Sequence, residues 1–191
     1  DRSIRTRWGE SCAIALIAGA LTATVSAIAQ QHAHTHGRMA LDVAVDTESI
    51  TLAIASPLDS FLGFERAPRT DAERKRVADM VVRLNAADQL FQPDPAAACT
   101  LSKVDLTSAV LGLGGAEKGA GHDHGHSDDE HADIDVDIVF TCAQATQARF
   151  IDVKLFDSFK RLRTIDAQVA SPQGQFKRPL RPGASRLSLT R

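Results

Sequence analysis

Apolar residues alternate with polar ones at Met39, Leu41, Val43 and Val45, and again at Ile50, Leu52 and Ile54, with "DTES" between the two runs. A period of two broken by a short polar stretch predicts a β-hairpin. "SPLDSFLGFERAP" follows as an irregular connection, interrupted by Pro57, Gly63 and Pro68. The period then changes. Thr70 to Glu73 has the Thr-x-x-Glu form of a capping box, and Val77, Met80, Val81, Leu84, Leu90 and Phe91 recur at helical spacing. One amphipathic helix is therefore expected over residues 71–91, stopped by Pro93 and Pro95.

Residues 103–111 read as a further strand. The clearest strand has Ile134, Val136, Ile138 and Phe140 alternating with Asp133, Asp135 and Asp137, and it runs into Cys142. More strands are expected around residues 150–155, 162–170 and 185–189. Many short strands with one good helix predict an α+β fold, a mainly antiparallel sheet covered by one amphipathic helix, as a single domain over residues 38–191. Between residues 112 and 131 the hydrophobic period vanishes, and Gly112, Gly114, Gly115, Gly119, Gly121 and Gly125 punctuate the chain. That composition predicts a long, flexible His/Asp-rich loop, and loops of such length inside a domain are usually functional or disordered.

Charge and composition add an address. Arg2, Arg5 and Arg7 precede an uncharged run at residues 11–29 that ends in "AIA". This is the form of a signal peptide over residues 1–29, cleaved after about Ala29. A membrane anchor is the rival reading, because nineteen uncharged residues just reach across a bilayer. Thr22, Thr24, Ser26 and the lack of a following basic cluster argue against it. The expected product is a periplasmic protein, not inserted in the membrane after cleavage, with a His-rich mature amino terminus at residues 30–37. Cleavage removes three basic and two acidic residues, so the formal charge of −2 becomes −3. A nucleic-acid binder would need the opposite sign. Cleavage also removes Cys12 and leaves Cys99 and Cys142. In an oxidising compartment this even pair reads as a disulfide, in preference to thiolate metal ligands.

All seven histidines lie in two short runs. "HAHTH" holds His32, His34 and His36; "GHDHGHSDDEH" holds His122, His124, His126 and His131 together with Asp123, Asp128, Asp129 and Glu130. Imidazole is the commonest side-chain ligand for borderline metals, and zinc takes His nitrogen and carboxylate oxygen without demanding a rigid frame. The eleven residues named are therefore the candidate ligands for zinc, with room for several ions. Calcium and magnesium would want oxygen cages instead. Affinity alone ranks copper above zinc. If the mature chain begins Gln30-Gln31-His32, its amine, two backbone amides and the His32 imidazole would form a square-planar site suited to copper(II) or nickel(II). His131, Asp133, Asp135 and Asp137 are spaced by two and would share one strand face at the foot of the loop. No histidine remains outside the two clusters for a rigid site elsewhere. The sequence has no His-Glu-x-x-His, no Gly-x-Ser-x-Gly and no phosphate-binding glycine loop, so no enzymatic activity is expected. The apolar periodicity is sufficient for the domain to fold without metal.

Taken together, "HAHTHG", "LAIASPLDSFLGFERAP", the helix, Cys99, the His/Asp loop, "FTC" at 140–142, "VKLFDSF" at 153–159 and "IDAQVASPQGQ" at 165–175 resemble the ZrgA-type periplasmic zinc-binding proteins of Gram-negative bacteria. The resemblance covers essentially all of the mature chain. It implies export, zinc as the metal, collection of zinc by the histidine loop and association with uptake through a zinc ABC importer. Two other readings stay open: a module that docks a transport component through its sheet, and a copper or nickel sequestrant.

Overall fold

The computed structural model describes residues 35–114 and 132–190. Strands β1 (Arg38–Val45) and β2 (Ser49–Pro57) form the expected hairpin, with Leu41 opposite Ile54, Val43 opposite Leu52 and Val45 opposite Ile50. All six of these side chains are buried, so the alternation in sequence marks the inner face. The connection after β2 contains one helical turn, α1 (Asp59–Leu62), stopped at Gly63 with φ of 85°. Helix α2 (Asp71–Asn85) begins with the full capping box: Thr70 Oγ1 accepts from the Glu73 amide at 3.1 Å, and the Glu73 carboxylate accepts from the amides of Arg69 and Thr70. Replacing Thr70 with Ala should lower stability by about 1 kcal/mol, the usual cost of an N-cap hydroxyl, read as a lower thermal midpoint.

The helix is shorter than its periodicity suggests. It ends at Asn85, a second turn α3 (Ala87–Leu90) follows, and Phe91 already belongs to strand β3 (Phe91–Pro93). At the break the Asn85 amide group donates to the Val81 carbonyl at 2.9 Å and Ala86 leaves the helical region. The adjacent pair Leu90 and Phe91 is fully buried, which one face of a continuous helix cannot easily provide. Nor does the helix cover the sheet alone. Only Met80 and Leu84 of α2 are buried, and Val82 is 70% exposed.

Strand β4 (Cys99–Thr107) starts earlier than expected and gives way to a 3₁₀ turn at Ala109–Leu111. It pairs antiparallel with β5 (Asp133–Cys142). After β5 come β6 (Phe150–Val153), the turn α4 (Leu155–Ser158), β7 (Thr164–Ser171), β8 (Gly174–Leu180) and β9 (Arg186–Ser188). The six-stranded sheet has the order β4-β5-β2-β1-β7-β8, antiparallel except for the parallel pair β1 and β7. A small antiparallel sheet, β3-β6-β9, contributes Phe91, Ile151, Val153 and Leu187 to the same hydrophobic cluster as the inner face of the large sheet. The architecture is sheet-rich and mainly antiparallel with few helices, and the cover over the core is shared between helix and second sheet.

Cys99 and Cys142 face each other across β4 and β5 and form the disulfide. Among the described residues no helix is long and apolar enough to cross a membrane.

Candidate metal centre

Of the eleven candidate ligands, only His36 falls within the described residues. His32, His34, His122, His124, His126, His131, Asp123, Asp128, Asp129 and Glu130 lie outside them, as do the residues of the expected signal peptide and most of those of the expected amino-terminal copper or nickel site. What is visible is the frame that carries both histidine runs. The chain departs at Gly114 and returns at Ala132. On the departing side, Ser108 and Leu113 form a β-bridge with two backbone hydrogen bonds of 3.0 Å, so Gly112, Leu113 and Gly114 belong to the folded body rather than to the loop. On the returning side, the Ser108 hydroxyl donates to the Asp133 carbonyl at 2.7 Å, and the Leu58 amide to the Ala132 carbonyl at 2.9 Å. Gly114 and Ala132, the described residues on either side of this segment, thus both stand at one end of the large sheet.

Thr35 and His36, the first described residues, lead into β1 at that same end. Pro57 at the end of β2 is opposite Asp133 at the start of β5, while Arg38 at the start of β1 lies two residues past the Ala40–Ala55 pair. Gly37 fixes the entry. Its φ of 74° is a left-handed conformation, a Cβ there would stand 2.9 Å from the Arg161 carbonyl, and its own carbonyl accepts from the amides of Arg163 and Thr164. The disulfide sits at the opposite end of the β4–β5 pair, about 30 Å away for strands of this length.

His36 is consequently placed on the folded body. Its Nδ1 is 3.2 Å from Asp59 Oδ2 and 3.5 Å from Glu65 Oε1, while the imidazole remains 71% exposed. Asp59 is buried; its other oxygen takes the Arg161 guanidinium at 2.8 Å, and Arg161 also donates to the Asp59 carbonyl at 3.0 Å. Asp59 and Glu65 were invisible as site residues in the sequence, where they sit in an irregular connection. The sole hint is that a carboxylate, Asp59, falls inside the apolar run "LDSFLGF".

The aspartates of β5 behave as their spacing predicts. Asp133, Asp135 and Asp137 lie on the outer face while Ile134, Val136 and Ile138 are buried. Asp105 of β4 is opposite Asp137 and takes Lys103 Nζ at 2.6 Å. On the other flank β2 places Ala53 opposite Asp137, Ala55 opposite Asp135 and Pro57 opposite Asp133. Loss of hydration, with the charges of Asp133 and Asp137 on either side, pushes the Asp135 carboxyl above its ordinary value. A raised carboxyl pKa means the folded chain binds the proton more readily than the unfolded chain. The ionised group therefore costs stability above that pKa, and the cost disappears as the pH falls through it. Asp135→Asn should raise the thermal midpoint at pH 7, with the difference from the parent shrinking towards pH 4. Among the described residues, no three His, Cys, Asp or Glu side chains stand ready-made as a metal cage.

A family model described as "ZrgA family zinc uptake protein" matches residues 33–189. The comparison with curated proteins gives no match.

Proposed function

The chain belongs to the ZrgA family of zinc uptake proteins, and from that premise we propose that it is an exported, non-catalytic protein that captures and buffers zinc through its two histidine runs and supplies an importer. The observation that carries this reading is their common placement: the amino-terminal run joins the fold at Gly37 and the loop joins it at Gly114 and Ala132, all at one end of the six-stranded sheet. Ligands tethered at one place raise each other's effective concentration, so the two runs can share ions that neither would hold well alone. The outward-facing carboxylates of β5 start at the same foot and give it a negative potential that favours cations. His122, His124, His126 and His131, with Asp123, Asp128, Asp129 and Glu130, supply the loop donors; His32, His34 and His36 supply the others. The disulfide is consistent with an oxidising, extracytoplasmic compartment.

The rival reading is a docking module, with the loop secondary. Its support is the edge strand β8, which presents Lys177 and Arg178 to solvent, with Arg181 beyond it. Deleting residues 115–131 separates the two. A zinc-capturing protein loses most of its bound zinc in equilibrium dialysis and no longer supports growth under zinc limitation. Unchanged growth support from the deleted chain would transfer the function to the sheet and its basic edge.

A further inference from the structure

We infer that the groove between the two free strand edges, β8 and β9, is a binding site for an acidic peptide, with Arg178 taking its carboxylates and Arg186 on the facing wall. The site holds no histidine and goes beyond zinc capture. β8 ends the order of the large sheet and β9 that of the small one. Between them lies a cavity of about 470 Å³, within the range of ligand sites. β8 supplies Arg178, Pro179 and Leu180 to it, β9 supplies Arg186 and Ser188, and the connection at 183–185 joins the two walls.

Three observations carry the assignment. The first is the place of Arg178. Along β8, Phe176, Arg178 and Leu180 share the inward face, opposite the buried Val169, Ala167 and Ile165 of β7. Phe176 and Leu180 pack on the core, whereas Arg178 stays exposed, its Cζ 5.0 Å from the centre of the Phe176 ring. The second is charge. Among the described residues, Lys177, Arg178 and Arg181 have no carboxylate partner, while Asp152 and Asp166 in this half of the chain are already taken by Arg186 and Arg38. The third is Arg186. Its Cζ lies 3.9 Å from the centre of the Phe150 ring, and Nε and Nη2 donate to Asp152 at 2.7 Å and 2.8 Å. Nη1 is left for a guest, on a guanidinium whose orientation is already set. Arg186 and Asp152 cancel in charge, so Arg178 gives the lining its net positive charge.

An inward-facing charge on an edge strand also guards against edge-to-edge pairing. Guarding requires neither a cavity nor a second arginine across it. The same features fix the chemistry of the guest. Pro179 has no amide to offer, so β8 is a poor template for strand addition, and the guest is held by its side chains rather than its backbone. Guanidinium groups on facing walls call for carboxylates, whose planar geometry they match. In an extended peptide, acids spaced by two project to the same side and can meet one wall together. A flat anionic surface such as a bilayer does not enter a cleft of this size.

The test is fluorescence anisotropy on the full chain in excess EDTA, so that no metal bridges protein and peptide. The probe is a blocked, dye-labelled hexapeptide of alternating Glu and Thr, with a hexapeptide of alternating Gln and Thr as control. The expected result is binding of the acidic probe alone, weakened at least about tenfold by Arg178→Glu, because a like charge then faces the guest. Arg178→Gln should weaken it about threefold and keeps the test valid if Arg178→Glu fails to fold. Asp152→Asn, which frees the Arg186 fork, should tighten binding. Arg76→Glu makes the same change of net charge on α2, which packs by the opposite edge strand β4, and should leave binding unchanged. Equal binding of the two peptides, or equal losses in Arg178→Glu and Arg76→Glu, overturns the site. So does Arg178-dependent binding to phosphatidylglycerol vesicles by a chain that ignores the acidic peptide. Because the measurement contains no metal, its failure leaves zinc capture intact, and a loop deletion that spares zinc-limited growth leaves the groove intact.

Discussion

Lowering the pH from 7.5 to 5 should weaken zinc binding by the parent chain about a thousandfold. Imidazole binds a metal only after losing its proton, and an unperturbed histidine titrates near 6.5, so each histidine ligand loses about 1.5 log units of apparent affinity over this interval. Two histidines per ion account for three log units. Carboxylates alone would lose little, because they stay ionised down to about pH 4. Chelator-competition titrations at half-unit steps of pH measure the slope directly. An affinity that stays flat from 7.5 to 5 would remove histidine as the main ligand and leave the carboxylates of the loop and of β5 to explain the binding. The domain should keep its fold throughout this range. Its core is built from the inner faces of two sheets and, among the described residues, contains no histidine, so the metal-free chain is expected to unfold cooperatively, with zinc acting on the histidine runs rather than on the core.

Removing the disulfide should have the largest effect on stability and almost none on zinc. Cys99 and Cys142 are 43 residues apart, and closing a loop of that size in the unfolded chain is worth about 4 kcal/mol in the chain-entropy model. For a domain of this length that corresponds to a fall of roughly 10 °C in the thermal midpoint. The paired variant Cys99→Ser/Cys142→Ser is the clean comparison, since a single substitution would leave a reactive thiol. The bond ties the end of β4 and β5 that lies far from the loop's feet, and the pairing of β5 with β2 continues independently along its whole length. The zinc stoichiometry of the variant, measured below its own midpoint, should therefore equal that of the parent. A large loss of zinc in a still-folded variant would show that the register of the β4–β5 pair, set at one end, governs metal capture at the other.

The local pattern of the sequence determined a good deal of this protein. Alternation at 39–45, 50–54 and 134–140 marks three central strands correctly, because the two faces of each strand meet different surroundings, one apolar and one wet. Thr70 and Glu73 announce the start of α2, because an N-cap involves only residues in contact along the chain. The chemistry of the histidine runs is compositional and needs no fold to be recognised. Where local pattern was ambiguous, the sequence failed: β8 has few buried positions and contains Pro179, so its period is absent, and Phe91 joined the helical count although it begins a strand.

The tertiary structure alone decided which strands meet. The parallel pairing of β1 with β7 joins residues more than 120 positions apart, and the small sheet gathers three short strands from separate regions. Hydrophobic period reports whether a residue is buried and says nothing about its partner, which is why neither feature was legible. The same limit hid the relation of His36 to Asp59, Glu65 and Arg161. The sequence assigned His36 to a His-rich tail, because composition groups residues by their neighbours in the chain. The sheet groups them by the ends of its strands, and that is what places an imidazole from residue 36 against carboxylates from residues 59 and 65, beside the point where the histidine loop begins and ends.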